Sequence, residues 1–156
     1  MIVAGTGHRP DRLTAFGEPY TTDQHNALKW YIGAWLVENE ATQVISGMAL
    51  GFDQALAAAA MNNHIPFVAA VPFKGQEERW NLQAKDYYSR LLDAAEEVVY
   101  VSPPGYAAWK MHARNKWMVD KCDLVLALYD GSSRGGTYDC VRYANNKGKQ
   151  VINIWK

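Results

Sequence analysis

The chain has 156 residues, of which 49% are hydrophobic and 21% charged, as expected for one globular domain spanning residues 1–156. Its sixteen basic and sixteen acidic residues cancel, so we expect neither nucleic acid nor a membrane surface as a partner. The sequence starts directly with a strand-like run, no apolar run approaches the roughly 20 residues of a membrane span, and Cys122 and Cys140 lack metal-site spacing. We therefore expect a reduced cytoplasmic protein. The sequence indicates no metal site and no cofactor, and it leaves open whether a metal assists the function.

Short runs rich in Val, Ile and Leu predict six strands that are buried on both faces, as in a parallel sheet. These runs cover residues 2–4, 43–46, 67–71, 97–101, 123–129 and 150–154. Helical periodicity fills the intervals, with an apolar stripe over 28–36, an Ala-rich segment at 52–63, and further helices at 84–95, 107–121 and 138–146. Thr21 and Gln24 have capping-box spacing before the first stripe. This alternation predicts an α/β fold, a three-layer α/β/α Rossmann-like sandwich with a mostly parallel sheet of five to six strands.

Four Gly-rich turns follow predicted strands, at residues 5–10, 46–53, 71–80 and 129–137. The carboxyl ends of parallel strands face one crevice, where glycines let backbone amides approach a ligand and helix N-termini favour anions. We therefore expect this crevice to bind a small molecule that carries phosphate.

The first turn, GTGHRP, lacks the third glycine of a dinucleotide fingerprint, and Pro10 argues against direct entry into a helix. In one interpretation Arg9 holds a phosphate and His8 donates a hydrogen bond. The ligand-binding residues of this turn are then Gly5, Thr6, Gly7, His8 and Arg9. In the alternative, the segment is a tight turn and Arg9 pairs with a surface carboxylate. Residues 11–20 form the longest irregular stretch and are a candidate flap over the crevice.

The second turn offers Ser46 and the amides between Gly47 and Gly51 to a phosphate, and Asp53 to a ribose hydroxyl. The alternatives are a structural left-handed turn and an Asp53 that favours the helix dipole.

Phe73, Gln76, Arg79 and Trp80 follow the third strand. Arg79 is a candidate phosphate clamp and Trp80 a candidate base-stacking residue, although six tryptophans also make plain aromatic packing common in this chain.

The last turn, from Asp130 to Thr137, has the best composition for binding an anion, through Asp130, Gly135, Gly136 and Thr137. In the helix before it, Asn115 falls within a buried stripe and needs a hydrogen-bond partner from a loop or a ligand. Arg114 lies beside that stripe, and it either reaches the crevice or is solvated on the outer face.

The ordered set GTGHRP, SGMALGFD, VPF, RNKWMVD and YDG–GGT resembles the SLOG superfamily, which joins the DprA/Smf fold to the Lonely Guy (LOG) phosphoribohydrolases, and in particular its YpsA-like branch. The resemblance implies a Rossmann-like domain that binds nucleotides or nucleotide-derived ligands. In LOG enzymes an Arg in an M-H-x-R-K motif and a Glu after P-G-G-x-G-T act at the N-glycosidic bond of a nucleoside 5′-monophosphate. Residues 111–114 match the first motif, and the Arg114–Asn115 pair also resembles the Arg-Asn-Arg stretch of DprA-like members.

This chain departs from the second LOG motif, because Cys140 occupies the position that corresponds to the Glu of that motif. Asp139, one residue earlier, projects elsewhere on a helix, so Asp139 or Asp53 would have to supply the carboxylate beside Arg114. We therefore predict a nucleotide-binding or sensing module. The first alternative is an N-glycosidic hydrolase or transferase with Arg114 and Asp139 as its catalytic residues.

A DprA-like binder of single-stranded DNA is the third possibility, which the zero net charge disfavours. Small Rossmann-like domains often pair through helices. If Trp30, Trp35, Trp109 and Trp117 are exposed rather than part of the core, they favour a homodimer.

Overall fold

The computed structural model describes residues 1–13 and 20–155, so most of the candidate flap, at 14–19, lies outside the described residues. The strands are β1 (Ile2–Gly7), β2 (Gln43–Ser46), β3 (Phe67–Val71), β4 (Glu97–Tyr100), β5 (Leu124–Leu128) and β6 (Gln150–Asn153). The helices are α1 (Pro10–Leu13), α2 (Thr22–Glu38), α3 (Phe52–Asn62), α4 (Leu82–Ala94), α5 (Ala108–Lys121) and α6 (Gly136–Asn146). Within the described ranges, no helix is both long enough and apolar enough to cross a bilayer.

All six strands are parallel and follow the order β4-β3-β2-β1-β5-β6. The chain moves outward from β1 to β4 and then returns across the sheet to place β5 on the other side of β1. One apolar core joins the sheet to α2, α3 and α4, and a second core on the opposite face joins it to α5 and α6. The predicted three-layer Rossmann-like fold is confirmed. Its topological switch point, where α/β proteins place ligands, lies between β1 and β5.

Small side chains explain how closely α3 packs on the centre of the sheet. Residues 52–60 of α3 are buried, and alanine occupies five of these nine positions. A Cβ atom added to Gly5 would lie 2.2 Å from Leu56 Cδ2, and one added to Gly7 would lie 2.3 Å from Phe52 Cγ. Glycine in β1 and alanine in α3 therefore allow the helix to approach the strand.

Two expectations for the start of the chain are wrong. The first strand runs to Gly7, three residues beyond the predicted end, because residues 5–7 pair with Leu126, Ala127 and Leu128 of β5. The short helix α1 begins at Pro10, although we expected proline to prevent entry into a helix there. Proline fits the first position of a helix because the N–H that it lacks has no partner there anyway.

The capping box at the start of α2 forms as predicted. The Thr21 hydroxyl accepts a hydrogen bond from the Gln24 amide, and the Gln24 side chain accepts one from the Thr21 amide. The predicted stripe turns Ile32 and Leu36 into the core, which leaves the opposite side of α2 to solvent.

Candidate functional site

Two neighbouring cavities open at the carboxyl edge of the sheet, beside the switch point between β1 and β5. The inner cavity, of about 200 Å³, lies against the end of β1, and the outer cavity, of about 640 Å³, extends towards the segment that follows β3. Both cavities are lined by Arg9, Ala49, Met111, Asn115 and Gly136. Since these residues are shared, the two cavities form one cleft.

The structure brings ten of the predicted ligand-binding residues to the inner cavity. They are Gly5, Thr6, Gly7, His8, Arg9, Asp53, Arg114, Asn115, Gly136 and Thr137. The outer cavity receives Arg79, Trp80, Gly135 and Asp139, together with the three shared residues of the predicted set. Residues from the first, third and fourth Gly-rich turns, from the start of α3 and from α5 therefore meet in one cleft.

Four predicted residues, Ser46, Gly47, Gly51 and Asp130, lie outside the described lining of both cavities. The buried Ser46 hydroxyl donates to the Asp53 carbonyl oxygen and accepts from the Met48 amide. The turn contains left-handed residues at Met48 and Gly51, and a Cβ atom at Gly51 would lie 2.8 Å from the His8 carbonyl oxygen. This segment therefore shows the features of the structural alternative.

Asp130 ties the end of β5 to the end of β1. Its amide donates to His8 Nε2 over 3.0 Å, and its carboxylate lies 3.2 Å from Arg12 Nη2. Burial lowers the pKa of His8, which favours the neutral imidazole as the acceptor in this bond. Burial raises the pKa of Asp130, but hydrogen bonds from Ser132 and the neighbouring positive charges outweigh it and bring that pKa down to about 2.

Arg114 is buried at the floor of the inner cavity. Its Nη1 atom donates to the carbonyl oxygens of Gly47 at 2.6 Å and Ala70 at 3.4 Å, and its Nε atom donates to Asn115 Oδ1 at 3.1 Å. These acceptors are neutral, so the charge that acts most strongly on the guanidinium is that of the nearby Asp53 carboxyl group. The expectation that this arginine reaches the crevice is therefore met, and a solvated position on the outer face is excluded.

Asp53, in the first turn of α3, faces the same inner cavity. Burial raises its pKa to about 6, although the charge of Arg114 and a hydrogen bond from the Ala49 amide to Oδ2 oppose the shift. A carboxyl group that changes its protonation near neutral pH, within a cleft, is suited to proton transfer as well as to binding.

Two polar atoms of this buried pair remain open to the inner cavity. Within residues 1–13 and 20–155, every fully buried side-chain nitrogen or oxygen has a hydrogen-bond partner. Asp53 Oδ1 and Arg114 Nη2 take part in none of the hydrogen bonds described above, so both atoms must be accessible from the cavity. The floor therefore presents one acceptor and one cationic donor to the same cavity.

The N-terminus of α6 forms another wall of the cleft. Its N-cap residue, Gly135, provides no side-chain cap, so the first-turn amides keep their capacity to bind an anion. Asn115 Nδ2 donates to the Gly136 carbonyl oxygen at 3.4 Å, so the partner of this buried amide is the first residue of α6 rather than a loop or a ligand. Exposed Arg9 lies beside both cavities, and none of the described carboxylates forms an ion pair with it.

Aromatic side chains line the outer cavity. Trp80 packs edge-on against Tyr88, with ring centroids 5.2 Å apart, and Phe73 packs edge-on against Tyr106 at 6.1 Å. Tyr106 was absent from the predicted site, although it follows β4 and the rule of strand ends could have indicated it. Lys110, also missed, donates to the carbonyl oxygens of residues 103–105 and so holds the loop that carries Tyr106.

The two predicted catalytic residues lie in different parts of the cleft. Arg114 lines the inner cavity, whereas Asp139 lies at the outer one, where its carboxylate is 3.4 Å from His112 Nδ1. Cys140 is buried in the second core, and burial raises the pKa of its thiol to about 12. The position that matches the LOG glutamate therefore belongs to the core. Among the described residues, no group of three or more His, Cys, Asp or Glu side chains is placed to hold a metal ion.

Comparison with known proteins identifies the family. The model of the YspA SLOG family matches residues 3–155. The chain belongs to the YspA SLOG family. It is 34% identical to the SPbeta prophage-derived protein YoqJ of Bacillus subtilis over 116 residues, which cover 64% of the chain and 67% of YoqJ. A UPF0398 protein of Brevibacillus brevis is 27% identical over 161 aligned positions, covering 96% of the chain and 85% of that relative. The predicted membership of the SLOG superfamily is confirmed.

Solved structures show the same fold at low sequence identity. The DNA processing protein A (DprA) of Streptococcus pneumoniae superposes with a TM-score of 0.68 and 22% identity, covering 96% of this chain and 48% of that protein. The single-stranded-DNA-binding DprA of Helicobacter pylori gives a TM-score of 0.62 and 18% identity, covering 97% of this chain and 63% of that protein. This YspA-family chain thus spans about half of the length of the pneumococcal DprA.

Proposed function

We propose that this protein binds a nucleotide or a nucleotide-derived small molecule in the cleft between β1 and β5, as a binding or sensing module. The observation that carries the proposal is the open polar pair, Asp53 Oδ1 and Arg114 Nη2, at the floor of a cavity beside an uncapped helix N-terminus. A hydroxyl group both donates and accepts hydrogen bonds, so sugar hydroxyls fit a cavity that offers both an acceptor and a donor.

The phosphate fits beside this sugar position, at the N-terminus of α6. Free amides at Gly136 and Thr137 favour an anion there, and Arg9 adds a positive charge that forms no ion pair with any described carboxylate. The base then extends into the outer cavity towards Phe73, Trp80 and Tyr106. A volume of about 640 Å³ lies within the usual range for small-ligand pockets.

The test is binding of adenosine, guanosine, cytidine and uridine 5′-monophosphates, measured by thermal shift and by calorimetry. A ligand at about 100 times its dissociation constant adds about 2.7 kcal/mol of stability, which a thermal shift detects. We expect Arg9→Ala to weaken binding about tenfold or more, because it removes a charged phosphate contact. Arg90→Ala is the matched control, since this exposed arginine of α4 pairs with Asp86 and lines neither cavity. No binding of any of the four nucleotides, even at millimolar concentration, would refute the proposal.

One observation favours a second candidate, cleavage or transfer at the N-glycosidic bond of a nucleoside monophosphate. Asp53 combines a raised pKa with a place in the inner cavity that Arg114 also lines, whereas Asp139 lies in the outer cavity. In this function Asp53 would replace the missing glutamate, and Arg114 would orient the substrate. The test of this activity is the release of free base from the same four nucleotides, measured by chromatography. Release by the wild-type protein and its loss in Asp53→Asn would establish it.

Binding of single-stranded DNA is the third candidate. The fold that this chain shares with DprA of H. pylori supports it. The zero net charge of this chain disfavours it, because DNA binding depends largely on positive charge. Retention on a single-stranded DNA column at increasing salt separates it from nucleotide binding. A cytoplasmic location and the absence of a cofactor stay predictions.

A further inference from the structure

The outer side of α2 carries an apolar stripe that no other described element covers. Trp30 is 76% exposed and Val37 is 57% exposed, and the small residue Ala34 lies between them at helical spacing. A groove of about 790 Å³ runs along this side, between α2 and the end of α3. We define Trp30, Ala34 and Val37 as the α2 stripe.

The other aromatic residues that favoured a homodimer are placed differently. Trp35 and Trp117 are half-buried against the two cores, and Trp109 is exposed but packs beside Lys110 near the outer cavity. Trp30 therefore stands out as the exposed tryptophan that is remote from the cleft. Together with Ala34 and Val37 it forms a continuous apolar strip along the groove, and a continuous exposed strip, unlike a single exposed side chain, indicates a surface for association.

We propose that the α2 stripe is the interface of a homodimer in which the α2 helices of two copies pack antiparallel across a two-fold axis beside Ala34. In such a pair, positions whose numbers sum to 67 face each other. Trp30 of each copy therefore meets Val37 of the other copy. Ala34, at the centre, lets the two backbones approach closely. The stripe is thus complementary to itself.

The charges of the groove select the antiparallel arrangement. Lys29 lines one end of the groove and Glu38 lines the other. An antiparallel pair brings Lys29 of one copy to the same end as the partner's Glu38, so opposite charges lie at both ends. A parallel pair would bring like charges together at each end, which costs free energy. The α2 stripe lies on the outer surface of the helix layer, so the dimer leaves the cleft open and does not depend on a ligand.

The first test is the mass of the protein in solution, measured by light scattering and by sedimentation equilibrium at micromolar concentrations. We expect twice 17.5 kDa for the wild type and a monomer for Trp30→Glu. Leu82→Asp is the matched control, because Leu82 is a large apolar residue that is 84% exposed on another helix, and we expect it to stay dimeric. A wild-type monomer, or a Trp30→Glu dimer, would overturn the proposal.

The second test fixes the register by cysteine cross-linking, since Cys122 and Cys140 are buried. Ala34→Cys lies next to the proposed axis, so we expect a disulfide-linked dimer on oxidation. Asn26→Cys places its two thiols roughly 20 Å apart in the antiparallel pair, from the 1.5 Å rise per residue, and we expect no cross-link. Efficient cross-linking through Asn26→Cys but not through Ala34→Cys would contradict the antiparallel arrangement.

Charge reversal gives a third, independent readout. Lys29→Glu should weaken the dimer about two- to tenfold, because it places two acidic side chains at each end of the groove. The double variant Lys29→Glu/Glu38→Lys restores opposite charges and should recover the wild-type dissociation constant. If the double variant dimerises no better than the single one, the charge pairing is wrong. Nucleotide binding by the Trp30→Glu monomer is measured in parallel, so failure of the interface is distinguishable from failure of the proposed function.

Discussion

Arg114 and Gly47 are 67 positions apart in the chain, yet the Arg114 guanidinium donates a 2.6 Å hydrogen bond to the Gly47 carbonyl oxygen. A Cβ atom at Gly47 would lie 2.6 Å from Nη1 and 2.7 Å from Cζ of the same side chain. Glycine is required at the end of β2 because the buried arginine fills the space that a side chain would take. The motif SGMALGFD and the helix α5 are therefore parts of one site.

Gly47→Ala should displace the Arg114 guanidinium and break its hydrogen bonds to buried oxygens. We expect a loss of about 1–3 kcal/mol in the free energy of unfolding, measured in urea, together with weaker nucleotide binding. Gly136→Ala is the control for stability, because a Cβ atom there meets nothing within 4 Å. Equal stability of the Gly47→Ala and wild-type proteins would show that Arg114 adapts freely.

Asp53→Asn should change how stability depends on pH. Burial raises the pKa of Asp53 from 3.8 to about 6 in the folded protein, so the unfolded chain ionises first as the pH rises. Between about pH 4 and pH 7 this group therefore costs the wild type up to about 3 kcal/mol of stability, a cost that asparagine avoids. We expect the stability of Asp53→Asn relative to wild type to increase over this interval, in urea titrations at several pH values.

The matched control for this pH series is Asp93→Asn, at an exposed position of α4. This substitution removes one carboxyl group outside the cleft and so separates a change in net charge from an effect of the buried site. If the stability of Asp53→Asn relative to wild type did not change with pH over this interval, the buried carboxyl group would not have the raised pKa that proton transfer near neutral pH requires.

Gly7→Ala should destabilise the fold itself. The added methyl group would lie 2.3–2.6 Å from Phe52 Cβ, Cγ and Cδ1, at a buried aromatic ring in the first turn of α3. Since Phe52 is fully buried and cannot move aside without disturbing the core, we expect a loss of about 1–3 kcal/mol or more, or an insoluble protein. The measurement is thermal unfolding followed by circular dichroism. A melting temperature within a degree or two of wild type would contradict the close packing of α3 on β1.

Lys110→Met should loosen the loop that carries Tyr106. The Lys110 ammonium donates to three carbonyl oxygens of residues 103–105, over 2.7, 3.1 and 2.7 Å, and methionine leaves all three without this donor. We expect faster proteolysis at residues 102–107 and a loss of about 1–3 kcal/mol in stability. Lys116→Met, an exposed position on the same helix, is the control and should behave as wild type. Similar cleavage rates for the two variants would rule out this role of Lys110.

Hydrophobic patterning was sufficient to predict the secondary structure. All six strands and five of the six helices form within a few residues of the predicted positions, because buried parallel strands and amphipathic helices leave patterns over four or more residues. The errors fall on Gly5, Gly7 and Pro10, where local preference gave way to the packing of α3 and to the favourable first position of a helix.

The candidate site was predicted less completely. Residues at strand ends, such as Arg9 and Gly136, were identified because parallel topology brings those ends together. Ser46 and Asp130 have the composition of ligand-binding residues, yet their oxygens bind neighbouring parts of the chain. Hydrogen-bond partners of this kind depend on distances between segments, which a single sequence does not contain.

The sequence by itself determined the α/β alternation, the Rossmann-like class and the SLOG family, since these follow from periodic burial and from ordered motifs. Only the tertiary structure decided which polar atoms face the cleft. Arg114 and Asp53 become an open pair because α5 and α3 approach the sheet from opposite faces and meet beyond the end of β2. Likewise, tertiary packing divided the tryptophans between the cores and the surface. It left Trp30 exposed on the side of α2 that faces away from the sheet. Long-range burial, rather than local composition, assigned these roles.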